Sequence, residues 1–322
     1  MTDNQYRFYV SFPPYVQVKK TVSSILHHTL IALIPAIIAA IYYFRVDALK
    51  VMLLSVITAV LCEAGMQKFL KREVSISDGH AVLTGLLFAF FLSPLVPWWL
   101  VVVGSGVGII VGKMMFGGLG NNPFNPALVG LVMIRLSWPD RLDIWKEPFG
   151  GWVPDPPLQV FKLDGLDAFK DYGYTVANLF LGQQAGGIGT IFIAGLLAGG
   201  LYLLWRRMIS WQIPVGLLGT VFVFSAILWG FDREAYLNPV FHLLAGGTML
   251  GAFFLATDPV TSPVTRWGKL AYGIICGALI VVIRAWGIYP DGVAFAILLA
   301  NASSPLLNKF RPRPYGKEGY RA

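Results

Sequence analysis

Charge is scarce in this chain. Only 13% of its 322 residues are Asp, Glu, Lys or Arg, against 56% hydrophobic. A soluble domain usually carries about a quarter charged residues, so a water-exposed globular fold is excluded. Cysteine is nearly absent: Cys62 and Cys276 each sit inside an apolar run, which rules out a disulfide framework and any Cys/His metal spacing. The four histidines are His27, His28, His80 and His242, and they form no ligand pattern. A Gly-rich strand–turn–helix for nucleotides, a haem-attachment motif and a Ser/His/Asp arrangement are also missing. No self-contained soluble active site is therefore expected. The first twenty residues are polar and lack a small-residue cleavage pattern, so no cleavable signal peptide is expected either. The net charge of +8 does not make a nucleic-acid binder, because Lys and Arg lie at the ends of apolar segments rather than in a patch.

What the chain has in abundance is long apolar sequence, with a mean hydropathy of +0.65. Ten membrane segments are expected, near 24–44, 50–67, 79–97, 98–116, 122–137, 187–205, 211–230, 237–257, 268–287 and 291–307. All ten tryptophans fall at segment ends or in the long 138–186 stretch, as an interfacial belt requires. With the N-terminus inside, sixteen of the 25 Lys and Arg residues lie on the inner side, which places both termini in the cytoplasm. The expectation is an all-α, multi-pass protein of the cytoplasmic (inner) membrane. Its parts are a cytoplasmic segment 1–22, a first five-span unit 23–137, an extracytoplasmic loop 138–186, a second unit 187–307 and a basic cytoplasmic tail 308–322.

Two stretches of turn residues interrupt the apolar pattern, Gly117–Pro126 and Ala256–Pro263. Proline lacks the N–H and glycine adds backbone freedom, so neither stretch continues a helix. The segment His80–Pro94 resembles His242–Ala256, and Asn122-Pro-Phe-Asn-Pro stands where Tyr289-Pro-Asp-Gly-Val stands in the second half. Five spans per half force the halves into opposite orientations, an inverted repeat with broken helices near the midplane. Among the intramembrane polar residues, Glu63 is expected to snorkel or to pair with Lys68 rather than to bind an ion. Asp78, Asp258 and Asp291 stand beside Gly or Pro, where capping is the commoner role. His80 and His242 occupy matching positions, and packing is the simpler reading of both. His27 and His28 have no partner that the sequence assigns.

The runs Ile76-Ser-Asp-Gly, Gly112-Lys-Met-Met-Phe-Gly-Gly-Leu-Gly, Asn122-Pro-Phe-Asn-Pro-Ala, Phe254-Leu-Ala-Thr-Asp-Pro-Val-Thr-Ser-Pro and Pro290-Asp-Gly-Val-Ala-Phe-Ala-Ile-Leu resemble the RnfD family, the D-type membrane component of the Rnf electron-transport complex. That family is related to NqrB, the corresponding component of the sodium-pumping NADH:quinone reductase. The resemblance implies a urea-channel-like fold and membership of a complex that also contains RnfA, RnfB, RnfC, RnfE and RnfG. It also implies electron transfer between ferredoxin and NAD, Na⁺ or H⁺ pumping, and flavin. The family's outer loop carries a Ser-Gly-Ala-Thr-Pro-Leu motif whose threonine bears FMN. Here Val153-Pro-Asp-Pro-Pro-Leu158 puts Pro156 in that place, and proline has no hydroxyl to esterify. The outer flavin is then either bound without a covalent link or absent. A non-covalent riboflavin or FMN is expected where the two breaks meet, with Lys113, Asn122, Asn125, Thr257, Asp258, Thr261 and Ser262 as its candidate partners. The plainer alternative is that these residues only cap helices. A non-redox channel or transporter, or a membrane anchor for peripheral components, would also fit the pattern.

Overall fold

The computed structural model describes residues 21–72, 78–146, 148–150 and 155–309, and every regular element among them is helical. The polar start with Lys19-Lys20, Ile76-Ser77, Glu147, the first part of the Val153–Leu158 run and the basic tail lie outside the described residues.

The first helix, α1 (Val22–Phe69), has 48 residues. Straight, it would measure about 72 Å, more than twice the roughly 30 Å hydrocarbon core. It is not straight: Arg45 takes φ 54 and ψ −129 and folds it into two arms. These arms are the expected spans 24–44 and 50–67, joined with almost no loop. Next come α2 (His80–Phe90), α3 (Trp98–Ile110) and α4 (Pro126–Ser137), then α5 (Pro157–Asp171) and α6 (Val176–Leu181) in the long connection. The second half holds α7 (Ile193–Trp205), α8 (Gln212–Phe231), α9 (Pro239–Leu244), α10 (Thr248–Leu250), α11 (Arg266–Trp286) and α12 (Val293–Leu307).

Helices α1, α8 and α11, and α3 with its continuation to Phe116, are long and apolar enough to cross a membrane; α2, α4, α7 and α12 are apolar but shorter. Several expected spans are thus shorter than the apolar sequence. The 79–97 span is helical only to Phe90, because Ser93-Pro94 ends it, and the 187–205 span starts at Ile193 after a Gly-rich approach. The 237–257 span is α9, a break at Ala245–Gly247 where Gly246 has φ +67, then α10 running into a wide π turn at Gly251–Leu255. The connection 138–186 is not structureless either, since α5 and α6 occupy much of it.

The two halves use the same local devices. Asn125 and Asn238 each cap a helix that begins with proline, accepting from Ala127 N at 3.1 Å and from Val240 N at 3.0 Å. The α1 second arm packs on α3 and α3 on α4; correspondingly, α8 packs on α11 and α11 on α12. Glycines set the close approaches: a Cβ at Gly108 of α3 would lie 2.6 Å from Pro126 O, and one at Gly273 of α11 would lie 2.6 Å from Ile213 O. The halves meet where the α1 first arm packs on α7 and α4 on α12. One end of the bundle carries the start of α1 and the end of α12 (the near end). The other carries the 138–191 connection and the approach to α7 (the far end). The second half therefore runs opposite to the first.

Candidate functional site

At the near end, the start of α1, the starts of α2 and α4, and the break after Leu255 enclose a cavity of about 30 Å³. Its wall includes Thr29, His80, Thr84, Asn125, Thr257 and Asp258, so the two interruptions from opposite halves face one space. Much of this polar equipment is already engaged. Asn125 Oδ1 accepts from Ala127 N and, at 3.4 Å, from Leu128 N. Thr257 Oγ1 donates back to Phe253 O at 2.6 Å, and Thr261 Oγ1 donates to Asp258 Oδ2 at 3.0 Å. Thr261 O accepts from Ser304 Oγ at 2.8 Å, which ties this break to α12.

The remaining expected residues lie beside the cavity rather than on it. Ser262 is buried, and its backbone N donates to Asp258 O at 3.1 Å. Asn122 is buried with Nδ2 donating to Phe124 O at 3.1 Å, while its Oδ1 has no partner among the described residues. Lys113 faces elsewhere. Its Nζ donates to Glu63 Oε1 at 2.7 Å, both side chains are 1% exposed, and Gln67 Nε2 reaches the same oxygen at 3.1 Å. This corrects the expectation that Glu63 snorkels or pairs with Lys68. Packing of the second arm of α1 on α3 seals the carboxylate from the surface and brings a cation from fifty residues further along. Asp78, Asp258 and Asp291 all cap backbone N–H groups, of His80, Val260 and Val293. His28 finds Tyr202 OH at 2.7 Å across the first contact between the halves.

The second half repeats the arrangement at the far end. A cavity of about 70 Å³ is walled by Phe91, the end of α4, the start of α12, the approach to α7, Trp145, Pro156 and the first turn of α5. It lies at the opposite ends of the same α2 and α4 that bound the near-end cavity. Asp291 is its anchor, accepting from Gly247 N at 2.7 Å and from Arg284 Nη2 at 3.0 Å. Arg284, buried like Lys113, also donates to His242 O, Ala245 O and Thr248 Oγ1, and so holds the break between α9 and α10. Gln184 donates to Leu179 O and Ile191 O but leaves Oε1 without a partner among the described residues. Two groups of the connection outside the membrane are shifted: burial and the charges of Asp143 and Asp164 push the Asp155 carboxyl up, and burial pushes the Lys162 ammonium down. Sequence reading had no handle on Arg284 or Gln184, whose roles arise only from contacts between distant segments. Pro156 and the first turn of α5, from the 138–186 connection, line this cavity.

This arrangement defines a polytopic membrane protein of two oppositely running halves with a small cavity at either end where their segments meet. The chain belongs to the NQR2, RnfD, RnfE family, whose profile matches residues 9–316. Proteins named as the D component of an ion-translocating oxidoreductase complex, from Salmonella paratyphi B, Salmonella typhi and Salmonella typhimurium, are each 38% identical to it over an alignment 347 positions long. Each alignment covers 96% of this chain and 98% of the relative.

Proposed function

We propose that this chain is the D-type membrane component of an Rnf complex, an ion-translocating ferredoxin:NAD⁺ oxidoreductase. In this reading it sits in the inner membrane beside RnfA, RnfB, RnfC, RnfE and RnfG, with its near end in the cytoplasm. It carries electrons across the membrane through non-covalently bound flavin, and the complex couples this flow to Na⁺ or H⁺ transport. The observation that carries the reading is the meeting of the two breaks, from opposite halves, in one near-end cavity. Family membership and the names of the relatives point the same way.

The residues suit a flavin in kind but not yet in space. Asn125, Thr257 and Asp258 offer an amide, a hydroxyl and a carboxylate to a polar ring edge. A volume of about 30 Å³, however, is room for only about two waters. Admission of a three-ring system therefore requires the breaks to part, with Asn125 keeping its cap and turning its Nδ2 to the ligand. Bound flavin would supply the one-electron steps. At the far end Pro156 lines the cavity, and with no hydroxyl it gives a flavin there no ester bond at that position.

Flavin content of the purified complex before and after acid denaturation tests the proposal. All flavin of this chain should be released, and its band on a denaturing gel should not fluoresce. Asn125→Asp keeps the capping oxygen and removes the amide donor; it should lower flavin content in an assembled complex. A full complement of flavin and unchanged electron transfer in that variant would place the site elsewhere. A second reading, a non-redox channel or transporter, is favoured by one observation: the two cavities sit at opposite ends of the same helices. It predicts a colourless complex.

A further inference from the structure

A third cavity, about 330 Å³, opens at the far end away from the seam between the halves. It lies where the end of α5, the end of α8 and the start of α9 converge. Its floor is aromatic: Phe169 stacks edge-on against Phe241 with ring centroids 5.2 Å apart, and Tyr174 and Trp229 complete it. Two cations stand at its rim, Lys170 and Arg233. The Arg233 guanidinium lies 4.7 Å above the Trp229 ring, which uses its flat face and leaves its N–H edge for an acceptor. No carboxylate among the described residues lies within ion-pair distance of Arg233. Lys170 meets only the largely exposed Asp167, at 3.5 Å. No acidic residue among those described lines the cavity.

The approach from the membrane is apolar. Val223, Ile227 and Phe231, spaced by four on α8, form an exposed stripe that runs up to this rim. Tryptophan and tyrosine mark the depth at which lipid headgroups begin. A cationic rim, an aromatic floor and an apolar stripe descending from it match one chemistry, a phosphate carried on an acyl chain.

We propose that this cavity binds an anionic phospholipid, with the phosphate between Arg233 and Lys170 and an acyl chain along the α8 stripe. Arginine recognises phosphate in two-pronged fashion, and lysine adds a point charge. The site is separate from both seam cavities and touches none of the flavin candidates, so it stands or falls independently of the redox reading.

The test uses the full chain, purified in neutral detergent and stripped of lipid, titrated with phosphatidylglycerol or phosphatidylcholine and followed by native mass spectrometry. Phosphatidylglycerol should bind at a concentration at least tenfold lower. The exposed double variant Lys170→Gln/Arg233→Gln should lose that preference, and Arg233→Lys should keep most of it. Inorganic phosphate should not displace the lipid, because it lacks the chain. An unchanged preference in the double variant, or displacement by inorganic phosphate alone, would overturn the proposal, the latter marking a free-anion site.

Discussion

At the scale of single residues, the Glu63–Lys113 pair is the most exacting feature of the first half. Two charges that are each 1% exposed hold one another at 2.7 Å, and Glu63 Oε2 has no partner among the described residues. Removing one partner from such a pair typically costs about 3–5 kcal/mol, because the other charge is left buried and unmatched. Lys113→Met should therefore lower the thermal midpoint of the purified protein sharply. The double variant Lys113→Met/Glu63→Gln should recover most of the loss; a double-variant loss equal to the sum of the Lys113→Met and Glu63→Gln losses would show that the two charges are not coupled. The sequence showed that Glu63 was unusual but pointed to the wrong lysine, since Lys68 is near in the chain and Lys113 is near only after α3 packs. The caps at Asp78, Asp258 and Asp291 were legible, because an Asp beside Gly or Pro acts on its own neighbours. Arg284, Gln184 and the His28–Tyr202 bond were not, because nothing local encodes their partners.

Among elements, the connection between the halves depends on a small set of anchors at the bend of α1, between its two membrane arms. Lys146 Nζ donates to Asp47 Oδ2 at 2.6 Å, Tyr43 OH donates to Leu181 O at 2.6 Å, and Phe149 packs edge-on against Tyr42 and Tyr43. The hydrogen bond from Lys146, helped by the charges of Lys146 and Lys50, outweighs partial burial and holds the Asp47 carboxyl below its ordinary value of 3.8. A carboxyl depressed in the fold contributes its full stabilisation above the unfolded value and loses it as pH falls through the folded one. A fluorophore at position 164 should accordingly show constant anisotropy from neutral pH down to about 5, then loosen below about 4. Asp47→Asn should abolish that transition, and loosening that begins above pH 6 would implicate another group. The two arms of α1, and α8 and α11, were legible as apolar runs. The short ones were misjudged at their ends, where apolar residues continue past the last helical turn into irregular backbone buried by the rest of the fold.

For the whole molecule, the inverted arrangement puts the helix ends at Thr21 and Asn308 together and the 138–186 connection opposite. Single cysteines at positions 164 and 317 should therefore react with an impermeant reagent from opposite sides, position 317 from the cytoplasm. Reaction of both from one side would refute the orientation. The inversion was legible from span count alone, since five passes per half leave no other choice. The pairing of cavities was not, because it depends on which ends of α2 and α4 face which break. The bend at Arg45 also bears on how the protein is made. Two apolar arms joined through a single left-handed residue have almost no loop to thread across the bilayer, so α1 suits insertion as one preformed helical hairpin. On the orientation proposed, only the tip of that hairpin is translocated, with Arg45, Asp47 and Lys50, and Asp47 and Lys50 partly neutralise each other at 3.7 Å. The first half can thus be anchored in the membrane before any residue of the second has left the ribosome.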